Sequence, residues 1–242
     1  MTNYSHRTIG GVEIVALNRH GGASTGAFDS LNLAAYVGDD PANVTANIQI
    51  AARQVQTKNV AVLRADHGNV VHTIGDISGV HELPVGDGAV TTQPGVALLA
   101  LAADCVAGAI VDPVHRVIGI FHAGWKGVLS HVVDATWQKM CDQGAQRASA
   151  HAVLGPSICG KCYEVEASRV NQFRDVQPEC VVDDRHLDVS AGIRAQLVSL
   201  GIPTEVIPGC TFEDDRLFSY RRAHGEPTGR GGLIVCMQER AT

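Results

Sequence analysis

Three segments of the chain carry soft donor side chains at places where the backbone must turn. His67 sits in Asp66-His67-Gly68, just ahead of an apolar run at 70–74. Cys105 sits in Ala103-Asp104-Cys105, a polar break between apolar runs at 96–101 and 106–111. His122 follows the run 117–121 and opens His122-Ala123-Gly124-Trp125-Lys126-Gly127, a glycine-rich turn into a helix. Each donor stands at a strand edge beside glycine or a polar break, where a side chain can reach into a cleft. Two imidazoles and one thiolate suit zinc, with a fourth position left to water or substrate. Spacing alone also admits a buried thiol and hydrogen-bonded core histidines. No pair stands at helical i, i+4 spacing, and seven cysteines with eleven histidines supply many accidental triples.

Other polar residues read less sharply. Asp104 could orient His67 or His122, or relay a proton, but it could equally end a strand by bonding to backbone. Asp87, in Gly86-Asp87-Gly88-Ala89, reads equally well as a turn residue. Cys159-Gly160-Lys161-Cys162 is a single C-x-x-C, and one pair supplies only two ligands. His72 fits the face of a strand better than a fourth ligand position. His6, His115, His131, His151, His186 and His224 do not cluster and carry no assignment.

The elements that must position these donors follow from periodicity. Asp40-Pro41 offers an N-cap and a first-turn proline, and Val44, Ile48, Ala52 and Val55 then share one helical face. A second helix is predicted over 127–143, with Gly144 as its stop. A third is predicted over 188–200 before Gly201, and a weaker one after Tyr163 carries Val165, Val170 and Phe173. Strand character appears at 12–17, 60–63, 70–74, 96–101, 106–111, 117–121, 152–154, 205–207 and 233–237. Several of these runs are continuously apolar, which suggests strands covered on both faces. The three runs between 96 and 121 have no helix between them, so strict βαβ alternation fails. The reading is an α+β chain of mixed β-sheets with outer helices. No internal repeat, low-complexity tract or linker divides residues 1–242, so a single domain is expected.

Composition sets the outer bounds. The 242 residues are 45% hydrophobic and 18% charged, enough for a packed core and incompatible with wholesale disorder. A formal charge of −6 argues against nucleic acid or an anionic membrane as the main partner. The longest apolar run, 96–103, is far short of the ~20 residues that span a bilayer. Residues 1–7 show no secretory signal, and an odd number of scattered cysteines suggests free thiols in a reducing, cytoplasmic setting. Monomer and homodimer both remain open.

The motif blocks resemble those of the YfiH (DUF152) family, long labelled multicopper polyphenol oxidases or laccase-domain proteins. Arg19-His20-Gly21-Gly22-Ala23-Ser24-Thr25-Gly26 with Ser30-Leu31-Asn32-Leu33 looks like its N-terminal block, continued by Val37-Gly38-Asp39-Asp40, Val44 and Asn47. His67-Gly68, Asp104-Cys105 and 122–127 match its three metal-ligand blocks. Gly155-Pro156-Ser157-Ile158 with Cys162-Tyr163-Glu164-Val165 matches the loop after the central strands. Cys210-Thr211, Phe218-Ser219-Tyr220-Arg221-Arg222 and Thr228-Gly229-Arg230 match the C-terminal block. The resemblance runs from about residue 14 to 238 and implies an α/β/β/α layering with His67, Cys105 and His122 as zinc ligands, which could also take copper(II) in vitro. Two positions depart from the pattern. Ala65-Asp66 stands where the family usually has Gln-Val, and Ile48 stands where an arginine often follows the helix asparagine.

The laccase label fails on ligand count. A multicopper centre needs about ten ligands, mostly in His-x-His pairs, and the chain has no His-x-His. Zinc, moreover, has no redox chemistry. The cytidine-deaminase signature of His-x-Glu with Pro-Cys-x-x-Cys is missing too. The resemblance implies instead purine nucleoside chemistry: phosphorolysis of adenosine, inosine, guanosine and methylthioadenosine, and deamination of adenosine. Purine nucleosides and phosphate are then the expected partners, with Cys105, His122 and Asp104 as the expected catalytic residues. Arg19, Lys126, Arg221, Arg222 and Arg230 are the expected phosphate cradle, since guanidinium forks match phosphate oxygens. Each could also be a solvated surface charge. Two other functions compete: a hydrolase of amide bonds, such as those of peptidoglycan precursors, with Cys105 as nucleophile and His122 or His67 as base, and a non-enzymatic metal-holding protein.

Overall fold

The computed structural model describes residues 2–239. The chain opens with a hairpin of β1 (Asn3–Ile9) and β2 (Val12–Leu17). Gly10 and Gly11 make its two-residue turn at φ of 54° and 82°, a conformation that side chains with a Cβ resist. Helix α1 (Pro41–Gln54) starts as its sequence demands. Asp40 caps it by accepting from the Ala42 N–H at 2.8 Å, and Pro41 fills the first turn.

Three strand pairs then follow, and all three break the chain in the same way. β3 (Asn59–Arg64), β5 (Val80–Val85) and β7 (Val96–Ala102) belong to one sheet, whereas β4 (Val71–Ile74), β6 (Gly88–Thr91) and β8 (Val106–Asp112) belong to the other. β3 runs parallel to both β5 and β7, so all three strands end at one edge and there pass the chain across. β9 (Val117–Ala123) pairs antiparallel with β8 and β6 and ends at that same edge. Helices α2 (Trp125–Leu129) and α3 (Val132–Asp142), β10 (His151–Leu154), α4 (Ala167–Arg174), α5 (Val189–Ser199), β11 (Thr204–Val206) and β12 (Gly231–Met237) complete the chain. The sheet orders are β1-β2-β12-β7-β3-β5 and β11-β10-β8-β9-β6-β4.

Strand alternation layers the molecule. On β8, Ala107, Ala109 and Val111 face the other sheet and meet residues such as Leu98, Ala100, Leu233 and Val235. Val106 and Ile110 face outward with Phe121, under Trp137 and Met140 of α3 and Ile193 and Leu197 of α5. The outer face of the first sheet, through Val15, Leu99 and Ile234, is covered by Val44, Ile48 and Ala51 of α1. The result is the α/β/β/α order, and the continuously apolar strands are buried on both faces as expected.

Two expectations need correction. The helix foreseen over 127–143 is two helices, broken where His131 adopts a left-handed φ of 57°. The break turns Ser130 toward the first crossing loop: its hydroxyl donates to the Gly68 carbonyl at 3.2 Å and its carbonyl accepts from Asn69 Nδ2 at 2.7 Å. Strands β1, β5 and β6 had no counterpart in the periodicity. β1 and β5 are the two edges of their sheet; β1 is largely polar and β5 contains Pro84, which an edge tolerates because its N–H side need not pair.

At the far end of β8, fully buried Asp112 accepts from the backbone N–H groups of Val114 (3.1 Å), His115 (3.0 Å) and Gln146 (2.7 Å) and contacts His115 Nδ1 at 2.8 Å. Burial pushes its carboxyl up, but these bonds outweigh it and hold the group below the ordinary carboxylate value. Asp112→Asn, which keeps the size and loses the charge, should cost about 1–3 kcal/mol at pH 7 in urea unfolding. Because the folded value lies below the unfolded ~3.9, this contribution is fully present above that pH and vanishes as pH falls through the folded value. A variant whose deficit is the same at pH 7 and at pH 2 would refute the assignment.

Candidate active site

The edge where β3, β5 and β7 release the chain gathers the three donors. His67 lies in the first crossing and Cys105 in the third. His122 is the penultimate residue of β9, inside the strand rather than just after it. Its register explains the meeting: on paired β8 and β9, Ala107 stands opposite His122 and Val106 opposite Ala123, which brings Cys105 beside Gly124. A Cβ on Gly124 would lie 2.9 Å from Cys105 Sγ and 3.1 Å from His67 Cδ2, so only glycine lets the segments close. The ligand atoms of His67, Cys105 and His122 all lie within 4.8 Å of one another. The two imidazole rings meet edge to face, 5.0 Å apart at an angle of 82°.

Asp87, in the second crossing, organises both histidines. Its carboxylate accepts from the backbone N–H groups of Asp66 (3.0 Å), His67 (3.0 Å) and Gly68 (2.8 Å), a nest of three successive donors. It also accepts from His122 Nδ1 at 2.8 Å, which leaves the Nε2 lone pair to face Cys105 and His67. The nest explains why His67 holds a left-handed φ of 69°. Burial alone would raise the Asp87 carboxyl, yet its hydrogen bonds with His122 and Asp66 keep it at about 2. Burial likewise opposes charge on Cys105 and on His122. The opposing charge of each partner and the bonds among them prevail, lowering the thiol to about 6 and raising the imidazole to about 9. The site therefore favours a thiolate, the form that binds metals.

Above the donors is a cavity of about 490 Å³ walled by aromatic rings (Tyr36, Trp125, Tyr163 and Tyr220) and by Arg221 and Arg230. Tyr36 and Tyr220, 58% and 56% exposed, frame its mouth. Burial pushes the phenol of Tyr163 up, so it stays protonated near neutral pH. The Arg221 guanidinium lies 5.1 Å from the centre of the Tyr163 ring and that of Arg230 5.6 Å from Tyr220. Ala65 joins this wall, whereas Asp66 does not. Ile48 is core, packed between α1 and its sheet.

Several expected site residues stand elsewhere. Asp104 lines the cavity, but its carboxylate orients neither histidine; that contact belongs to Asp87. Asp104 accepts instead from Thr211 Oγ1, Ser219 Oγ and the Arg221 N–H, each at 2.6 Å, and so pins the C-terminal loop beside Cys105. Arg222 is spent on that loop too, donating to the carbonyls of Thr211, Phe212, Asp214 and Leu217. Arg19 donates to the Asp29 carbonyl at 2.7 Å and stacks 4.6 Å from the centre of Phe218. Lys126 rests against Trp125. None of these three walls the cavity, so of the five expected phosphate contacts only Arg221 and Arg230 do. Asp87 was left open from sequence as a turn residue, and the four aromatics were not picked out. Trp125, Tyr163 and Tyr220 lay in the quoted motif blocks; nothing in its spacing marked Tyr36.

Residues 13–238 match the family model described as multi-copper polyphenol oxidoreductase laccase. The chain belongs to this family. A purine nucleoside phosphorylase of Streptomyces coelicolor is 38% identical over 230 residues, covering 92% of this chain and 94% of that protein. An adenosine deaminase from an unknown prokaryotic organism is 31% identical over 214 residues, covering 81% and 82%. The crystal structure of a Neisseria meningitidis protein of family DUF152 superposes with a TM-score of 0.84 at 28% identity, over 98% of this chain and 100% of that one. The YfiH resemblance drawn from the motif blocks therefore holds, and the chain is an enzyme. No helix among its described residues is long and apolar enough to cross a membrane.

In this YfiH-family site Asp87 should matter to any ion the donors hold. Asp87→Asn is expected to weaken zinc binding about 10- to 100-fold in competition with a chromophoric chelator. An unchanged affinity in a variant that folds normally would remove Asp87 from the site.

Proposed function

We propose that the chain is a purine nucleoside phosphorylase that also deaminates adenosine, with zinc held by His67, Cys105 and His122. The observation that carries this reading is the cavity itself: the three donors converge beneath a wall of aromatic rings and two arginines. A volume of about 490 Å³ suits one small ligand. Aromatic faces offer a purine stacking surfaces worth ~1–3 kcal/mol each. Arg221 makes no side-chain hydrogen bond or ion pair among the described residues, and its fork faces the cavity ready for phosphate. The names of the relatives, phosphorylase and adenosine deaminase, point the same way.

In phosphorolysis a phosphate oxygen forms a bond to C1′ of the ribose as the bond to the purine breaks, and the base leaves with that electron pair and takes up a proton. Arg221 and Arg230 hold and orient the phosphate, which offsets its charge and removes the entropy cost of the encounter. The tyrosines grip the base and keep water out. The phenols of Tyr36 and Tyr163 line the cavity and can donate hydrogen bonds to a base held there. In deamination, water adds at the purine C6 carbon and ammonia leaves. Zinc in the site would supply the Lewis acidity that makes water nucleophilic near neutral pH. Asp87 holds the His122 tautomer and His67 backbone that such an ion requires, and it is this aspartate rather than Asp104 that supports the donors.

Zinc-loaded protein given adenosine should release adenine and ribose 1-phosphate only with phosphate present, and some inosine without it. Cys105→Ala should lose at least ~100-fold in both reactions. Arg221→Ala should raise KM for phosphate about tenfold, more than KM for the nucleoside. Failure of the zinc-loaded enzyme to turn over any purine nucleoside would overturn the reading.

The Cys105–His122 pair also favours a second reading, a thiol hydrolase of amide bonds, because a lowered thiol beside a raised imidazole is that chemistry's nucleophile. Chelation separates them. It should abolish the nucleoside reactions and spare the hydrolase, which an alkylating agent aimed at Cys105 would inactivate.

A further inference from the structure

The single C-x-x-C pair gains two partners in three dimensions. The ligand atoms of Cys159, Cys162, Cys210 and Glu213 all lie within 4.8 Å of one another. Two ligands of a tetrahedral zinc, each ~2.3 Å from the ion, stand roughly 3.8 Å apart, so small side-chain adjustments would close the shell. Local folding builds the cluster from two loops. The N–H groups of Cys162 and Tyr163 both donate to the Cys159 carbonyl at 3.0 Å, which curls 159–163 into a tight turn with both thiols on one side. The N–H groups of Glu213 (3.2 Å) and Asp214 (2.9 Å) donate to the Cys210 carbonyl, folding Glu213 back over Cys210. A bridge between Ser157 and Cys210, with the Thr211 N–H donating to the Ser157 carbonyl at 3.1 Å, sets the loops side by side. The Cys159 N–H donates to Cys210 Sγ at 3.3 Å, the kind of bond that supports a ligating sulfur. Cys210 is buried, Cys159 and Cys162 are half-buried and Glu213 is exposed, so an ion can enter from solvent.

We propose that Cys159, Cys162, Cys210 and Glu213 form a second metal site, for a thiophilic divalent cation such as zinc. Three thiolates and one carboxylate fill a tetrahedral shell and leave no position for substrate, the pattern of a structural rather than a catalytic site. The ion ties together two loops that both reach the main cavity. Tyr163, next to Cys162, walls that cavity, and Thr211, next to Cys210, donates to Asp104.

The test uses the full chain with the first donor set disabled. Reduced Cys105→Ala protein, loaded with zinc and desalted, should retain about one zinc per chain, and the same protein carrying Cys159→Ser and Cys162→Ser should retain almost none. A folded Cys105→Ala protein that keeps no more zinc than this triple variant overturns the proposal. A second measurement needs no variant: with zinc, alkylation of Cys159, Cys162 and Cys210 in the wild-type chain, followed by peptide mapping, should slow at least about tenfold, with Cys141 unaffected. Unchanged rates at those three thiols, or a disulfide joining Cys159 to Cys162 in protein prepared with zinc, would also overturn it. Neither measurement depends on the donors at 67, 105 and 122, so the two sites stand or fall separately.

Discussion

One buried carboxylate governs the geometry of the active site. Asp87 takes three backbone N–H groups from the first crossing loop and one imidazole N–H from β9, and it sits in the second crossing itself. Unmade, the bond to His122 would leave a buried imidazole N–H without this partner, at a cost of roughly 1–3 kcal/mol. Made together, they fix a left-handed histidine in the first crossing and a single imidazole tautomer on β9. The same bonds hold the Asp87 carboxyl low against burial, which pushes it up. The lowered thiol and raised imidazole of Cys105 and His122 come chiefly from each other's charge, and the Asp87 bond adds to the support for a charged His122.

The topology places such a residue where it can act. Parallel β3, β5 and β7 end together, and each passes the chain to the other sheet at that edge. Crossings of this kind expose backbone donors that no ladder satisfies, which suits them to hold a carboxylate or to present side chains to a ligand. His122 therefore stands on a rigid strand, placed by ladder register, while His67 and Cys105 lie in short crossings anchored by the strands that flank them.

Much of this could be read from the sequence because burial writes itself into apolar runs. The two-faced burial of β7, β8 and β9 appears as continuous hydrophobic segments, with Cys105 at the polar break between β7 and β8 and His122 at the end of the β9 run. Helix α1 was legible to the residue through Asp40 and Pro41. Edge strands β1 and β5 were not, since a strand with one neighbour and a wet face needs no apolar signature. Asp87 was ambiguous for another reason: an aspartate that anchors a nest and one that merely caps a turn occupy the same Gly-Asp-Gly string. Asp104 and Arg222 were ambiguous because an acid or a base beside a ligand block looks the same in sequence whether its partners are a substrate or the loop's own backbone. The third thiol beside Cys159 and Cys162 comes from a separate loop, across a bridge that no local spacing encodes.

The division of labour that results bears on how one family can carry both a laccase description and nucleoside-directed relatives. Two imidazoles and one thiolate form a donor set that several transition metals accept, so metal uptake by itself says little about the reaction. Above the donors the C-terminal loop brings Tyr220, Arg221 and Arg230 to the cavity. That loop has almost no ladder of its own. Asp104 holds it through Thr211, Ser219 and the Arg221 N–H, and Arg222 staples its carbonyls from within. Asp104 adjoins Cys105 in sequence and adopts a left-handed φ of 92° to reach both jobs, so the position of the guanidinium at 221 is set by the same turn that presents the thiol. A shift at this turn would therefore move the Cys105 thiol and the Arg221 guanidinium together.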